Sequence, residues 1–131
     1  MQEVQFEVTK ALLLKSNGGQ LYRMSKAVVI KQLRTIARIK VLSWLREGVL
    51  KKTVGPVHLI VTPIMPKATA RYDPPNYWPT AKALIDGMTD AGLWPDDNGR
   101  IIPRTSFDYS DESVGRQGVW IMRFRIEDAD V

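Results

Sequence analysis

The chain has 131 residues, of which 25% are charged and 44% are apolar, so a single domain spanning residues 1–131 with one core is expected. It has no cysteine, which excludes disulfides and thiolate chemistry. Its one histidine, His58, excludes a zinc site built from several histidines. No apolar run reaches the ~18 residues that a membrane span requires. The N-terminus, with Glu3 and Glu7 in an alternating run, does not resemble a signal peptide, so we expect a cytoplasmic protein.

The net charge of +5 is unevenly distributed along the sequence. Residues 10–52 contain eleven Lys or Arg and one acid, a balance of +10, whereas residues 53–131 have a balance of −3. A basic half beside an acid-bearing half is typical of a protein that holds a polyanion and places carboxylates near it. A solvated helix face is the other interpretation, because basic charge alone does not identify a ligand.

The first predicted elements are a strand and a long helix. Residues 2–14 begin with apolar side chains at every second position, as in a half-buried strand. Ser25 suits a helix N-cap and Gly48 a helix stop, which predicts a helix over Lys26–Glu47. The residues of this helix that keep core-facing spacing are Ile30, Leu33, Ala37, Val41, Trp44 and Leu45.

A second face of the long helix is basic. Lys31, Arg34 and Arg38 fall at i, i+3 and i+7, so their side chains share one side of the helix. This face predicts contact with a phosphate backbone. A solubilising surface explains the same spacing, and both interpretations stay open at this point.

The run 57–65 is β-branched and apolar, which predicts a central strand. Pro63 and Pro66 are expected to limit its end. His58 lies in this strand and is interpreted as a partnered strand histidine, since no second histidine or cysteine accompanies it.

Two further strands are predicted at 100–108 and 119–126. In the last one Ile121 and Phe124 fall on opposite faces, which indicates a bulge or burial on both faces. The predicted order is therefore β-α-β-α-β-β, an α+β domain with a mixed sheet and two helices packed on it.

The stretch before these strands contains a short helix with carboxylates at both ends. Pro79 suits its first position and Gly92 its left-handed stop. Asp73 lies just before the helix, and the pair Asp96-Asp97 lies just after it. One buried stripe at helical spacing is predicted, formed by Ala81, Leu84, Ile85 and Met88.

Hydrolysis of phosphodiesters by hard metal ions needs several oxygen ligands, usually carboxylates and waters. Four aspartates lie close together in sequence, namely Asp73, Asp86, Asp96 and Asp97. Lys82 shares a helix face with Asp86, and a lysine there could orient a phosphate or stabilise charge on an oxygen. A plain surface pair at this spacing, worth only ~0.3–0.5 kcal/mol, also explains these two residues, and on spacing alone it is the preferred interpretation.

These residues resemble the RusA family of phage and prophage Holliday junction resolvases, in particular its actinobacteriophage branch. Members show a strand ending near Met-Pro, a basic residue, an Asp-x-Asp-Asn element, and a helix with a Lys and an Asp. An Ala-Gly-aromatic-x-Asp-Asp segment follows. The corresponding residues here are Met65-Pro66, Arg71, Asp73-Pro74-Pro75-Asn76, Lys82, Asp86 and Ala91-Gly92-Leu93-Trp94-Pro95-Asp96-Asp97.

The resemblance implies a homodimer that binds four-way DNA junctions and cuts them with Mg²⁺, for which Mn²⁺ can substitute. It implies catalytic roles for Asp73, Lys82 and Asp97, with Asp73 and Asp97 as metal ligands and no small-molecule cofactor. Supporting roles fall to Asn76, Asp86 and Asp96. The residues expected to contact DNA are Lys26, Lys31, Arg34, Arg38 and Arg71.

One position departs from the family pattern. Pro75 stands where the second Asp of the Asp-x-Asp-Asn element is expected, and proline has no side-chain oxygen to coordinate a metal. Asn76, Asp86 or Asp96 could fill this place, or the metal site is weaker. The alternative function is a catalytically weakened or inactive RusA-like module that binds branched DNA or a host protein.

Overall fold

The computed structural model describes residues 1–16, 25–68 and 71–129. It confirms the predicted α+β order of four strands and two α-helices. The elements are β1 (Gln2–Thr9), a 3₁₀ turn (Lys10–Leu12), α1 (Lys26–Glu47), β2 (Val57–Ile64), a second 3₁₀ turn (Pro74–Tyr77), α2 (Trp78–Asp90), β3 (Arg104–Phe107) and β4 (Val119–Asp128). No helix within the described ranges is long and apolar enough to cross a bilayer.

The four strands form one mixed sheet in the order β1-β4-β2-β3. β4 is antiparallel to both of its neighbours, and β3 is parallel to β2. Pairing along β4 is continuous, from Gln2 opposite Ile126 to Thr9 opposite Val119, so of the two predicted alternatives the bulge is excluded and burial on both faces remains. Alternate residues of β4 point to opposite faces, and Ile121 is half-buried on the face away from the core.

The hydrophobic core lies between one face of the sheet and the two helices. Val4, Phe6 and Val8 are buried, as the alternating pattern predicts. β1 ends at Thr9 and does not extend over the whole of residues 2–14, because the 3₁₀ turn over Lys10–Leu12 takes the backbone out of the sheet. At the buried Leu14, the backbone N–H donates to Thr80 Oγ1 and the backbone carbonyl accepts from the same hydroxyl, both at 2.8 Å.

The bounds of α1 agree with the prediction because local caps determine them. Ser25 Oγ accepts the Val28 N–H at 3.2 Å, and Gly48 adopts a left-handed φ of 75°. The buried residues of α1 are Val29, Leu33, Ala37 and Val41, while Ile30, Trp44 and Leu45 are only half-buried. The core-facing stripe is therefore displaced slightly from the one predicted, and it includes Val29.

The short helix α2 also follows its sequence signals closely. Trp78 is its first residue and Pro79 its second, one position later than expected. All four residues of the predicted stripe are buried. Gly92 has a φ of 82°, which lets the Leu93 N–H turn back and donate to the Met88 carbonyl at 3.2 Å.

Pro63 was predicted to limit the end of β2, but it lies inside this strand, opposite Met122 of β4. β3 pairs with β2 only as far as Val61, so the missing N–H of Pro63 falls where no ladder bond is required. The Pro63 carbonyl accepts the Tyr72 hydroxyl at 2.6 Å on that side. His58 is a partnered strand histidine, since its Nδ1 lies 3.1 Å from Arg104 Nη2.

Candidate functional site

A lysine and two aspartates meet on the exposed side of α2. Lys82 Nζ donates to Asp86 Oδ1 at 2.7 Å and to Asp97 Oδ2 at 2.8 Å. Lys82 and Asp86 occupy successive turns of the helix, whereas Asp97 comes from the loop that follows it. We call these three residues the Lys82 cluster.

The loop after α2 is held by two large buried side chains, Leu93 and Trp94. The Trp94 indole N–H donates to Thr89 Oγ1 at 2.7 Å, which fixes the loop to the last turn of the helix. The Gly92 turn reverses the backbone beforehand. Together these contacts bring Asp97 back beside the middle of α2.

Asp96 and Asp97 have different environments although they are adjacent. Asp96 accepts the Asp97 backbone N–H at 2.7 Å and the Asn98 side-chain amide at 3.0 Å. The Asp96 carboxylate therefore stabilises the loop, while the Asp97 carboxylate accepts a hydrogen bond from Lys82.

The cluster shifts the pKa values of its members in opposite directions. Burial raises the pKa of Asp86, helped by the neighbouring Asp97 and opposed by Lys82. The hydrogen bond from Lys82, together with that to Asp86, lowers the pKa of Asp97. Burial acts to lower the pKa of Lys82, but its contacts with the two carboxylates outweigh this and raise it. Lys82 is therefore a stable cation beside one readily ionised carboxylate.

A second ion pair joins the two helices beside this cluster. Arg34 of α1 binds Asp90 of α2 through both oxygens, with Nη2 donating to Oδ1 at 2.8 Å and Nε donating to Oδ2. The hydrogen bond with Asp90 raises the pKa of Arg34, and the charges of Asp86 and Asp97 add to the effect. The basic face of α1 thus adjoins the carboxylates of α2.

The three cations of the predicted basic face have different surroundings. Arg34 is engaged with Asp90, whereas Lys31 and Arg38 are exposed. The Arg38 charge contributes to lowering the pKa of Asp90 after the larger effect of Arg34. Lys26, at the start of the helix, is exposed as well.

Asp73 lies at the other end of the helical segment, before the 3₁₀ turn. It is exposed, its backbone carbonyl accepts the Asn76 N–H at 3.0 Å, and its side chain does not cap the turn. Among the described residues its carboxylate makes no hydrogen bond or ion pair, so it is not part of the Lys82 cluster. Arg71 is exposed nearby, and the Asn76 carbonyl accepts the Ser16 N–H at 2.7 Å.

Asp86 and Asp97 are the carboxylates of the Lys82 cluster that could contribute to a water-rich Mg²⁺ site. Within residues 1–16, 25–68 and 71–129, no group of three or more Asp, Glu, His or Cys side chains could hold a metal ion. Asp86 and Asp97 nevertheless lie close together, because both carboxylates pair with the same Lys82 ammonium. Mg²⁺ usually keeps several waters and binds through one or two carboxylates, so this pair suits it better than a metal that requires a full protein cage.

Asp90 and Trp78 were not predicted from the sequence as site residues. Both continue the four-residue spacing of Lys82 and Asp86 along α2, Trp78 one turn before and Asp90 one turn after. That periodicity was the available signal, and it places all four residues on one side of the helix.

No family model matches the sequence, and a search of curated proteins finds no match. The residues and their geometry therefore carry the functional proposal.

Proposed function

We propose that the protein is a RusA-like, Mg²⁺-dependent endonuclease that resolves four-way junctions or other branched DNA during phage recombination or replication in the host cytoplasm. The observation that supports this proposal is the convergence of Lys82, Asp86 and Asp97. The motif resemblance selects these residues from sequence, and an oxygen of each carboxylate lies within 2.8 Å of the Lys82 nitrogen.

The basic face of α1 supplies the expected DNA contact. Lys31 and Arg38 are exposed on the helix that packs against α2, and Arg34 joins the two helices through Asp90. A phosphate backbone bound along α1 would therefore run beside the carboxylates. Lys26 and Arg71 are also exposed, and we propose that they contact the DNA beyond the basic face of α1.

Each residue of the site has a role that follows from its chemistry. Asp86 and Asp97 would hold Mg²⁺, with Asp86 in the place that Pro75 leaves empty, whereas Asp73, which the resemblance implies as a ligand, lies outside the Lys82 cluster. The bound ion would supply an activated water and neutralise phosphate charge. Lys82 stays protonated because its pKa is raised, so its ammonium can stabilise negative charge on a phosphate oxygen. Asn76 and Asp96 would support the surrounding loops.

We propose that the protein acts as a homodimer, because a junction is resolved by two symmetrically placed cuts. Each protomer contributes one Lys82 cluster among its described residues. Two copies related by a two-fold axis would present two such clusters to opposite strands.

The test is to incubate a synthetic four-way junction with the protein in Mg²⁺ and to compare Asp97→Asn. The amide keeps the shape of the side chain but removes its charge, so paired nicks should fall below detection while the junction is still bound. Asp128→Asn, at the end of β4, is the matched control and should cut like the unaltered protein. Both binding by gel shift and cutting by denaturing gel are measured.

A non-catalytic module that binds branched DNA is the second candidate function. Pro75 and the absence of a three-acid group among the described residues favour it. A gel shift with no cutting in Mg²⁺ or Mn²⁺ by the unaltered protein would establish this candidate and overturn the nuclease.

Junction binding should also depend on salt through the exposed cations of α1. Lys31→Gln is expected to reduce the slope of log K against log salt by about 0.9, the value for one lost phosphate contact on duplex DNA. Adding Arg38→Gln should reduce it by a similar amount again. Fluorescence anisotropy of labelled DNA over a salt series measures both.

Lys40→Gln provides the matched control for this series. Lys40 is exposed but lies on the other side of α1 from Lys31, at about 3.6 residues per turn. Its removal should leave the slope unchanged. Equal slopes for Lys31→Gln and the unaltered protein would place the DNA on another surface.

A further inference from the structure

An exposed indole lies next to the Lys82 cluster on the same side of α2. Trp78 is 38% exposed, although it is one of the largest apolar side chains of the protein. It precedes Lys82 by four residues, which places their Cα atoms about 6 Å apart along the helix axis. Trp78, Lys82 and Asp86 therefore form a row of aromatic, cationic and acidic groups.

The indole is supported by its neighbours. Phe107, at the end of β3, meets Trp78 edge-on, with ring centroids 6.0 Å apart and an interplanar angle of 83°. The contact leaves part of the indole in solvent while restricting its motion. A restrained aromatic ring loses little conformational entropy when a ligand stacks on it.

A second exposed ring accompanies Trp78 at this end of the molecule. Tyr109 is 51% exposed and stacks on Tyr72, with centroids 4.8 Å apart and an interplanar angle of 25°. The Tyr72 hydroxyl is fixed because it donates to the Pro63 carbonyl at 2.6 Å and accepts the Ser110 N–H at 2.9 Å. Two aromatic surfaces are thus held in place around the start of α2.

Charge beside the rings indicates the kind of ligand. The exposed Arg71 directly precedes Tyr72 and supplies a cation beside the rings. Lys82 follows Trp78 along α2 but is paired with Asp86 and Asp97, so a phosphate there would need the Mg²⁺ of the proposed function. A nucleic acid strand combines the two groups that these side chains recognise, an anionic phosphate and a flat base. Bases inside a duplex are stacked on their neighbours and offer no free face, so only an unpaired base could stack on the indole.

We propose that Trp78 stacks on an unpaired nucleobase next to the phosphate held at the Lys82 cluster. The preferred substrates would then be branched DNA molecules with unpaired nucleotides at the branch, rather than junctions paired throughout. This inference rests on the proposed function, because it places DNA at the cluster, and it adds the structural class of DNA that is selected.

The experiment compares two four-way junctions in Ca²⁺, a hard cation with oxygen ligands that replaces Mg²⁺ here, one fully paired and one with two unpaired thymidines at the branch, and a denaturing gel checks that neither is cut. Anisotropy of labelled DNA gives affinity, and tryptophan emission reports stacking. The protein should bind the junction with unpaired bases about tenfold more tightly, which is within the range for one base–aromatic stack. Trp78→Ala should remove this preference and Trp78→Phe should keep most of it, with affinity for the paired junction unchanged.

The protein has four tryptophans, so the fluorescence signal needs an assignment. Binding of the junction with unpaired bases should quench emission in the unaltered protein and in Trp44→Phe, whose ring packs on Phe6 in the core. It should not quench emission in Trp78→Phe. Circular dichroism checks that each variant is folded.

The outcomes separate the two proposals. If both junctions bind and Trp78→Ala retains whatever preference exists, stacking is overturned while DNA binding stands. If emission quenching persists in Trp78→Phe, stacking at Trp78 is likewise overturned. If neither junction binds the unaltered protein, the proposed function fails, and this inference fails with it.

Discussion

Replacing Gly87 with alanine is expected to lower the free energy of unfolding by about 2 kcal/mol or more, within the usual range for overpacking. A Cβ at this position would lie 2.7 Å from the Ala37 Cβ and closer still to the Arg34 carbonyl oxygen of α1. The backbone oxygen cannot rotate away, so α1 and α2 must separate. Urea denaturation, followed by far-UV circular dichroism, measures the change.

The sign of this result is informative because two effects oppose each other. Alanine is favoured over glycine inside a helix by about 1 kcal/mol. If Gly87→Ala stabilises the protein, helix propensity dominates and the two helices do not need the close approach. Gly55→Ala is the matched control: a Cβ there meets nothing within 4 Å, so stability should change little.

The same substitution should also affect the site. Gly87 lies beside Asp86 and close to Asp90, so moving α2 away from α1 would stretch the Arg34–Asp90 pair. A DNA junction bound along α1 would then no longer lie at a fixed position relative to Asp97. The close approach at Gly87 thus connects core packing to the arrangement of the charged residues.

Local signals in the sequence were sufficient to predict the helices. Ser25 and Gly48 determine α1 through a side-chain cap and a left-handed turn, both of which involve only neighbouring residues. The stripe on α2 and the stop at Gly92 are local in the same sense. Strand order was not predictable in this way, since β4 comes last in the sequence yet pairs between β1 and β2.

The candidate site was only partly predictable, for a related reason. The spacing of Lys82 and Asp86 identified their shared face, and the resemblance added Asp97 from the following loop. A basic helix face, however, does not indicate which cation meets another helix, so the ion pair of Arg34 with Asp90 was not predicted. Contacts between distant segments depend on packing angles that no single stretch of sequence encodes.

Replacing Lys82 with methionine is expected to reduce junction cutting by about a hundredfold, as for loss of one group that stabilises transition-state charge. The substitution should also lower stability in EDTA at neutral pH by about 1 kcal/mol, since two exposed ion pairs are lost and two carboxylates are left together. Lys67→Met, which removes another exposed lysine, is the control and should change neither property.

The loss of stability should depend on pH in a defined direction. The folded pKa of Asp97 is lowered, chiefly by Lys82, so its stabilisation is present above the unfolded value of about 3.9 and is lost as pH falls through the lower folded value. The folded pKa of Asp86 is raised by burial, so its protonated form favours the fold on the acid side. The difference between the unaltered protein and Lys82→Met should therefore be largest near neutrality and shrink as both carboxyls gain protons. An equal difference at neutral and acid pH would contradict the carboxylate–ammonium cluster.

Lys82 would have two roles, because it would neutralise the carboxylates and also act on the phosphate. Varying the Mg²⁺ concentration separates these roles. Without the ammonium, Asp86 and Asp97 have no competing cation, so Mg²⁺ should bind Lys82→Met more tightly and restore more stability to it than to the unaltered protein. Cutting should remain slow even when Mg²⁺ is saturating, because the ion replaces the ammonium between the carboxylates but not at the phosphate oxygen. Calorimetric titration with Mg²⁺ and cutting rates across a Mg²⁺ series provide the two measurements. Full recovery of cutting at high Mg²⁺ would mean that Lys82 serves only to hold the carboxylates in place.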